Sequence, residues 1–191
     1  MEKGLPSLRL SKSCVAPPEE VYDMLADLRS HLHWGGAKQS GDFRLVSMDA
    51  PDARATVGTV FATTGTIPMS RKRWKDRSTV TAAARPSTFE FVTEGKVGGG
   101  GHAMVARYVH RYEVAPLEGG STVTYTMTQE KIANPFLRLA LPVIRQLTWR
   151  VALPMFAGRG FRNLLGDAEA AAKLHREPHA VVAADNLEVS K

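Results

Sequence analysis

His110 is the residue in this sequence best suited to moving protons. It stands between Tyr108 and Tyr112 in Tyr108-Val-His-Arg-Tyr112. Strand alternation puts these three side chains on one face. A histidine so placed serves as a general acid or base, with Tyr112 as its partner in proton transfer. The same pattern also fits a core or rim histidine satisfied by a neighbouring hydroxyl. Tyr108, Tyr112 and Tyr125 either orient a ligand through their hydroxyls or pack as aromatic residues with a polar handle.

The other groups with chemical potential lead to blander readings. His31 and His33 are two apart at a helix end, where neighbours on one face are three or four apart, and no Asp, Glu or Cys cluster joins them. No metal site follows. Gly158-x-Gly160 follows a helical segment rather than a strand and lacks the third glycine of a dinucleotide fingerprint, so no cofactor follows either. Its expected role is to let the helix start approach the sheet or a ligand closely. The one cysteine, Cys14, lies in the first strand and reads as buried and inert. The run Arg71-Lys-Arg-Trp-Lys-Asp-Arg77 divides its charges between two strand faces, which reads as a solvated face, with Trp74 free to turn inward. The net charge of +6 is spread over many elements, and no aromatic-interleaved basic run or zinc-finger spacing points to nucleic acid.

The elements that hold these residues follow from periodicity. Leu8 and Leu10 alternate with Arg9 and Ser11 in a first strand. Pro17-Pro18-Glu19-Glu20 opens a helix whose stripe is Val21, Leu25, Leu28 and Leu32, ending near Trp34-Gly35-Gly36. Strands follow over 42–48, 56–66, 71–83, 88–93, 104–114 and 122–130, joined by turns such as Glu118-Gly119-Gly120. Short turns between successive strands imply an antiparallel sheet. In the last hairpin Tyr108, His110 and Tyr112 share a face, as do Val123, Tyr125 and Met127. These aromatic- and methionine-rich sides face the long final helix. That helix runs from Pro154 to Arg176, with Ala157, Phe161, Leu164, Ala168 and Ala171 as its apolar stripe. Pro178 is expected to end it, leaving 179–191 as a flexible tail after a single domain over 1–178.

Between hairpin and final helix lie residues 136–153, strongly apolar but interrupted by Arg138, Arg145 and Arg150. The segment falls short of the roughly 20 apolar residues of a membrane span. Its mixture of arginines, leucines and Trp149 suits either contact with a membrane surface or packing over a cavity mouth or a second subunit. The start of the chain lacks a signal-peptide core, and one cysteine forms no internal disulfide, so a cytoplasmic location is expected.

Several local sequences carry a family likeness. They are Val15-Ala-Pro-Pro-Glu-Glu-Val21, Trp34, the hairpin Tyr112-Glu-Val-Ala-Pro-Leu-Glu-Gly-Gly-Ser-Thr-Val-Thr124, and Asp167-Ala-Glu-Ala170. Over about 8–174 the chain resembles the polyketide cyclase/dehydrase and lipid-transport family of the SRPBCC superfamily, related to the birch-pollen-allergen and START folds. The resemblance implies an α+β helix-grip fold, in which a curved antiparallel sheet wraps the C-terminal helix around an apolar cavity. It implies a hydrophobic small-molecule partner, a lipid or a polyketide-like compound, and in some members catalysis. The cavity wall would then include Phe89, Phe91, Tyr108, Tyr112 and Tyr125. Met127, Phe161, Leu164 and Trp74 would complete it. If the chain were an enzyme, His110 and Tyr112 would transfer protons beside a carbonyl in cyclisation or dehydration.

Overall fold

The computed structural model describes residues 7–38, 44–66, 73–97, 104–133, 150 and 153–188. Strand β1 is Ser7–Cys14, followed by helix α1 (Pro18–Ala26), the short α2 (Ser30–Leu32) and a π-helical turn, His33–Ala37. Strands β2 (Leu45–Asp49), β3 (Val60–Thr66), β4 (Arg73–Ala84), β5 (Thr88–Val97), β6 (Met104–Leu117) and β7 (Gly120–Ala133) lead to helix α3 (Leu153–Glu188). The strands form a seven-stranded sheet of order β1-β7-β6-β5-β4-β3-β2. Every pairing is antiparallel. The pairing register shifts at Leu45/Ser47, Val80/Ala82 and Arg107/Tyr108, and interruptions of this kind bend strands.

The alternation read from the sequence is the alternation of burial. In β4, Arg73, Lys75 and Arg77 are exposed, while Trp74 and Asp76 are half-buried and Ser78 and Val80 buried. The outer face carries ion pairs from Arg107 to Glu94 and Glu130, and from Arg111 to Glu90 and Glu113. Exposed pairs of this kind contribute little each. The inner face joins α1 and α3 in one core that includes Leu8, Val21, Leu25, Phe89, Tyr125 and Leu164.

Helix α1 is shorter than the periodicity suggests. It ends at Asp27, whose backbone is extended, and Leu28 reaches the core from beyond that break. Ser30 caps the break, its hydroxyl donating to the carbonyls of Met24 and Asp27 at 2.7 Å. Asp23 is held by Arg54 and Arg85, which keep its carboxyl below the usual carboxylate range despite partial burial.

Helix α3 buries Phe161, Leu164, Leu165, Ala168 and Ala172, so the stripe closes on Ala172 rather than Ala171. Polar contacts fix it in place: Asn163 donates to the Trp34 carbonyl at 3.0 Å, and Glu169 accepts from the Val15 amide at 3.2 Å. Asp167 pairs with His33 and Lys38. The helix continues through Pro178 to Glu188, beyond the end that the proline suggests. A proline removes one intrahelical hydrogen bond and kinks the axis, and strong helix formers such as Ala180, Ala183 and Ala184 carry the helix on.

Gly120 begins β7 against the end of β1. A Cβ there would lie 2.1 Å from the Cys14 carbonyl oxygen and 2.8 Å from the Val15 Cα. Backbone has to move, so Gly120→Ala is expected to destabilise by about 1–3 kcal/mol. Gly166 on α3 is exposed, with nothing within 4 Å of such a Cβ. Gly166→Ala should stabilise by about 0.5–1 kcal/mol. Urea midpoints of the two variants moving in the same direction would contradict this pair of expectations.

Candidate functional site

The strand registers arrange the inner-face residues in rows. One row places Phe89, Tyr112, Tyr125 and Leu10 side by side on β5, β6, β7 and β1. The next places Val80, Phe91, His110 and Met127. A third is Phe61, Ser78, Thr93, Tyr108 and Gln129, and a fourth Thr63, Asp76, Gly95 and Ala106. The face therefore runs from aromatic to polar along the strands.

At the aromatic end the rings form a continuous set of contacts. Tyr112 stacks on Tyr125 with centroids 4.7 Å apart, and Tyr125 faces Phe161 of α3 at 6.3 Å. Phe91 stacks on His110 at 4.8 Å and meets Phe61 edge-on at 5.4 Å. Phe89 and Leu164 have no accessible surface, so neither faces open space. Phe91, Tyr112, Tyr125, Met127 and Phe161 keep 6–8% of theirs, and Tyr108, His110 and Trp74 are half-buried.

His110 forms its hydrogen bond across the hairpin, with Nδ1 2.8 Å from the Tyr125 hydroxyl. This is a diagonal cross-strand pair, within reach of long side chains. Tyr112, the partner expected from the sequence, instead stacks on Tyr125. Burial, with a smaller effect of His31, pulls the His110 pKa down to about 4. Burial likewise pushes the Tyr125 phenol well above its ordinary value. Both groups are neutral at pH 7. If the phenol donates to Nδ1, the ring proton sits on Nε2, which has no hydrogen-bond partner among the described residues and is free to donate to a ligand carbonyl.

His31 and His33 part company. The His31 ring is buried, bonds the Leu25 carbonyl through Nε2 at 2.8 Å and lies 4.6 Å from Trp34, whereas His33 is exposed on Asp167. Cys14 is buried, its thiol near the Leu165 carbonyl at 3.8 Å, and burial raises its pKa. A thiol held protonated is a poor nucleophile. At Gly158 a Cβ would meet Arg162 Nη1 at 3.4 Å and nothing closer, so this glycine marks no tight approach among the described residues.

The polar rows hold groups that motif reading passed over. Ser78 and Thr93 share a buried hydroxyl–hydroxyl bond of 2.8 Å. The Thr63 hydroxyl donates to Asp76, whose pKa burial raises to about 6. Beside them the Trp74 ring lies over Gly65, where a Cβ would sit 2.1 Å from the ring, and its indole donates to the Thr66 carbonyl at 3.1 Å. Parity within β4 was the available signal: Asp76 lies two residues from Trp74 and from Ser78, opposite in phase to the basic residues.

A separate surface cleft of about 290 Å³ lies beside α1, lined by residues including Asp23, Asp27, Asp52 and Arg54. Two of its carboxylates are neutralised by arginines: Asp23 by Arg54 and Arg85, and Asp52 by Arg29. The segment 136–153, expected to meet a membrane, a cavity mouth or a second copy, lies outside the described residues apart from Arg150 and Leu153. No helix among the described residues is long and apolar enough to cross a membrane.

Residues 6–152 match the family described as polyketide cyclase/dehydrase and lipid transport. The chain belongs to this family. No curated protein matches it in sequence. Solved structures share the fold at low identity. A conserved protein from Geobacillus kaustophilus superposes with a TM-score of 0.61 at 15% identity, covering 86% of this chain and 96% of its own. Ara h 8.0201, a Bet v 1-like protein, gives 0.58 at 12% identity, covering 87% and 99%. A protein from Thermus thermophilus gives 0.56 at 19% identity, covering 87% and 99%. The α+β helix-grip architecture is thus common to the family and to these structures, and the aromatic rows lie on its gripping face.

Proposed function

We propose that this protein binds a hydrophobic small molecule, a lipid or a polyketide-like compound, between the sheet and α3. The observation that carries the reading is the graded inner face: an aromatic wall around Phe91, Tyr125 and Phe161 leading to half-buried Tyr108, Trp74 and Asp76. Apolar walls with few placed polar groups are how small-molecule sites are built. Membership of a family described by lipid transport and polyketide chemistry supports it.

The test begins with native mass spectrometry of the purified protein and extraction of any retained compound. Stripped protein is then titrated with N-phenyl-1-naphthylamine, a neutral fluorophore. Saturable uptake of one fluorophore per chain is expected, and Trp74→Ala should weaken it about tenfold, a loss of about 1.4 kcal/mol. Absence of saturable uptake rules the reading out.

The hydrogen bond between His110 and Tyr125 favours a second reading, a cyclase or dehydratase in which this pair handles the proton at a substrate carbonyl. Tyr125, not Tyr112, is then the phenol in reach. Tyr125→Phe keeps the ring stack and removes the hydroxyl. Under the enzyme reading it abolishes turnover of a polyketide-like substrate while leaving binding within about threefold, a binding change smaller than about 1 kcal/mol. Unchanged turnover sinks the enzyme reading and leaves the binder.

A further inference from the structure

We propose that the ligand bound between the sheet and α3 carries a protonated amine on its hydrophobic body, with Asp76 as the counter-ion. This rests on reading the inner face as a hydrophobic-ligand site and names the chemistry of one end of it.

Asp76 belongs to the inner face by register, opposite Thr63 on β3 and Gly95 on β5. Its side chain is bonded by the hydroxyl and the backbone of Thr63, and no cationic side chain pairs with it among the described residues. The basic residues of its own strand, Arg73, Lys75 and Arg77, are exposed on the opposite face. A carboxylate accepts about four hydrogen bonds, so the hydroxyl and the backbone amide of Thr63 leave part of that capacity unused. A further neutral donor fills a lone pair but leaves the charge uncompensated in a low-dielectric setting. A cation does both, which is why buried charges are found paired. Burial holds the carboxyl pKa up at about 6, the direction expected of a carboxylate without a cation.

Among the described residues, the row beside Asp76 leaves room for such a group. The row continues from Asp76 through Gly95 to Ala106, two residues with little or no side chain. A Cβ built on Gly95 would meet only the Asp76 Cβ, at 3.8 Å, so the space above it is open among the described residues. Trp74 shares the face two residues away and offers an aromatic surface to an ammonium. The aromatic rows beyond Thr93 and Tyr108 take the apolar body.

The test is displacement of bound N-phenyl-1-naphthylamine by dodecylamine, dodecanol and dodecanoate, below micelle-forming concentrations at about pH 8. At that pH the amine is protonated and Asp76 ionised. The wild-type protein should release the fluorophore at an at least tenfold lower concentration of the amine than of the alcohol or the acid. The net charge of +6 acts against this preference, so bulk attraction does not mimic it. Asp76→Asn should bring amine and alcohol within about twofold while fluorophore uptake persists. Gly95→Val, which fills the open space without touching the carboxylate, should weaken the amine more than the fluorophore. Fluorophore uptake without an amine preference, or a preference that survives Asp76→Asn, overturns the proposal and leaves the cavity reading standing. No fluorophore uptake at all overturns both.

Discussion

His31 should cost this protein about 3 kcal/mol of folding stability as the pH falls from 6.5 to 4, a loss that His110 adds to and Asp76 largely offsets. Its ring is 3% exposed, and burial lowers its pKa from 6.5 to about 4. Below pH 6.5 the unfolded imidazole takes up a proton that the folded one refuses until about pH 4. The stability is therefore complete above pH 6.5 and lost as the pH falls, and a shift of this size corresponds to roughly 3 kcal/mol. His110 acts in the same direction, less strongly because it is only half-buried. Asp76 acts in the opposite direction. Its carboxyl, raised from 3.8 to about 6, keeps a proton that the unfolded chain releases, so its contribution is complete below pH 3.8 and lost as the pH rises through 6. Urea unfolding across this range should show His31→Gln with a flatter acid limb than wild type. Asp76→Asn should show a steeper one and added stability above about pH 6.5. Parallel profiles for wild type and His31→Gln would show that His31 does not govern the acid limb. A gain in Asp76→Asn would mean that the carboxylate is kept at a cost to the fold, as functional groups often are.

Phe89→Ala should be the most damaging single truncation in the core, at about 3–5 kcal/mol. Phe89 has no exposed surface and meets Tyr22 of α1 edge-on at 6.1 Å and Phe91 at 6.2 Å. It is the ring on which α1 seats against β5, so truncation leaves a void that neither a helix nor a sheet closes easily. With a typical total of about 5–15 kcal/mol, roughly a fifth or more of the stability goes. Val57→Ala, at a side chain that is 64% exposed, should stay within about 0.5 kcal/mol. Phe89 reaches no open space, so the folded fraction of Phe89→Ala should bind N-phenyl-1-naphthylamine with little change, separating wall-packing from ligand contact. Equal urea midpoints for the two variants would remove Phe89 from this role.

Local patterning carried most of the architecture. Strand alternation placed Tyr108, His110 and Tyr112 on one face and Val123, Tyr125 and Met127 on another, and the sheet keeps both sets inward. Helical spacing gave the stripe of α3 to within one residue at its end. These patterns are legible because the side-chain periods of about two and 3.6 residues are properties of the backbone itself. The break at Asp27 and the passage of α3 through Pro178 were not legible, since tertiary contacts and neighbouring turns decide whether a local preference prevails. The candidate site was legible as a set of residue types on one face and not in its pairings. His110 was visible as a candidate for proton transfer, but its bond to Tyr125 rather than Tyr112 depends on the register of a hairpin whose pairing shifts at Arg107/Tyr108. Asp76 was hidden inside a basic run. By itself the sequence determined the order of the elements, the face on which each side chain falls and the family. The tertiary structure alone decided which rows meet across strands far apart in the chain, and which of their charges are drawn out of water with no cation beside them among the described residues.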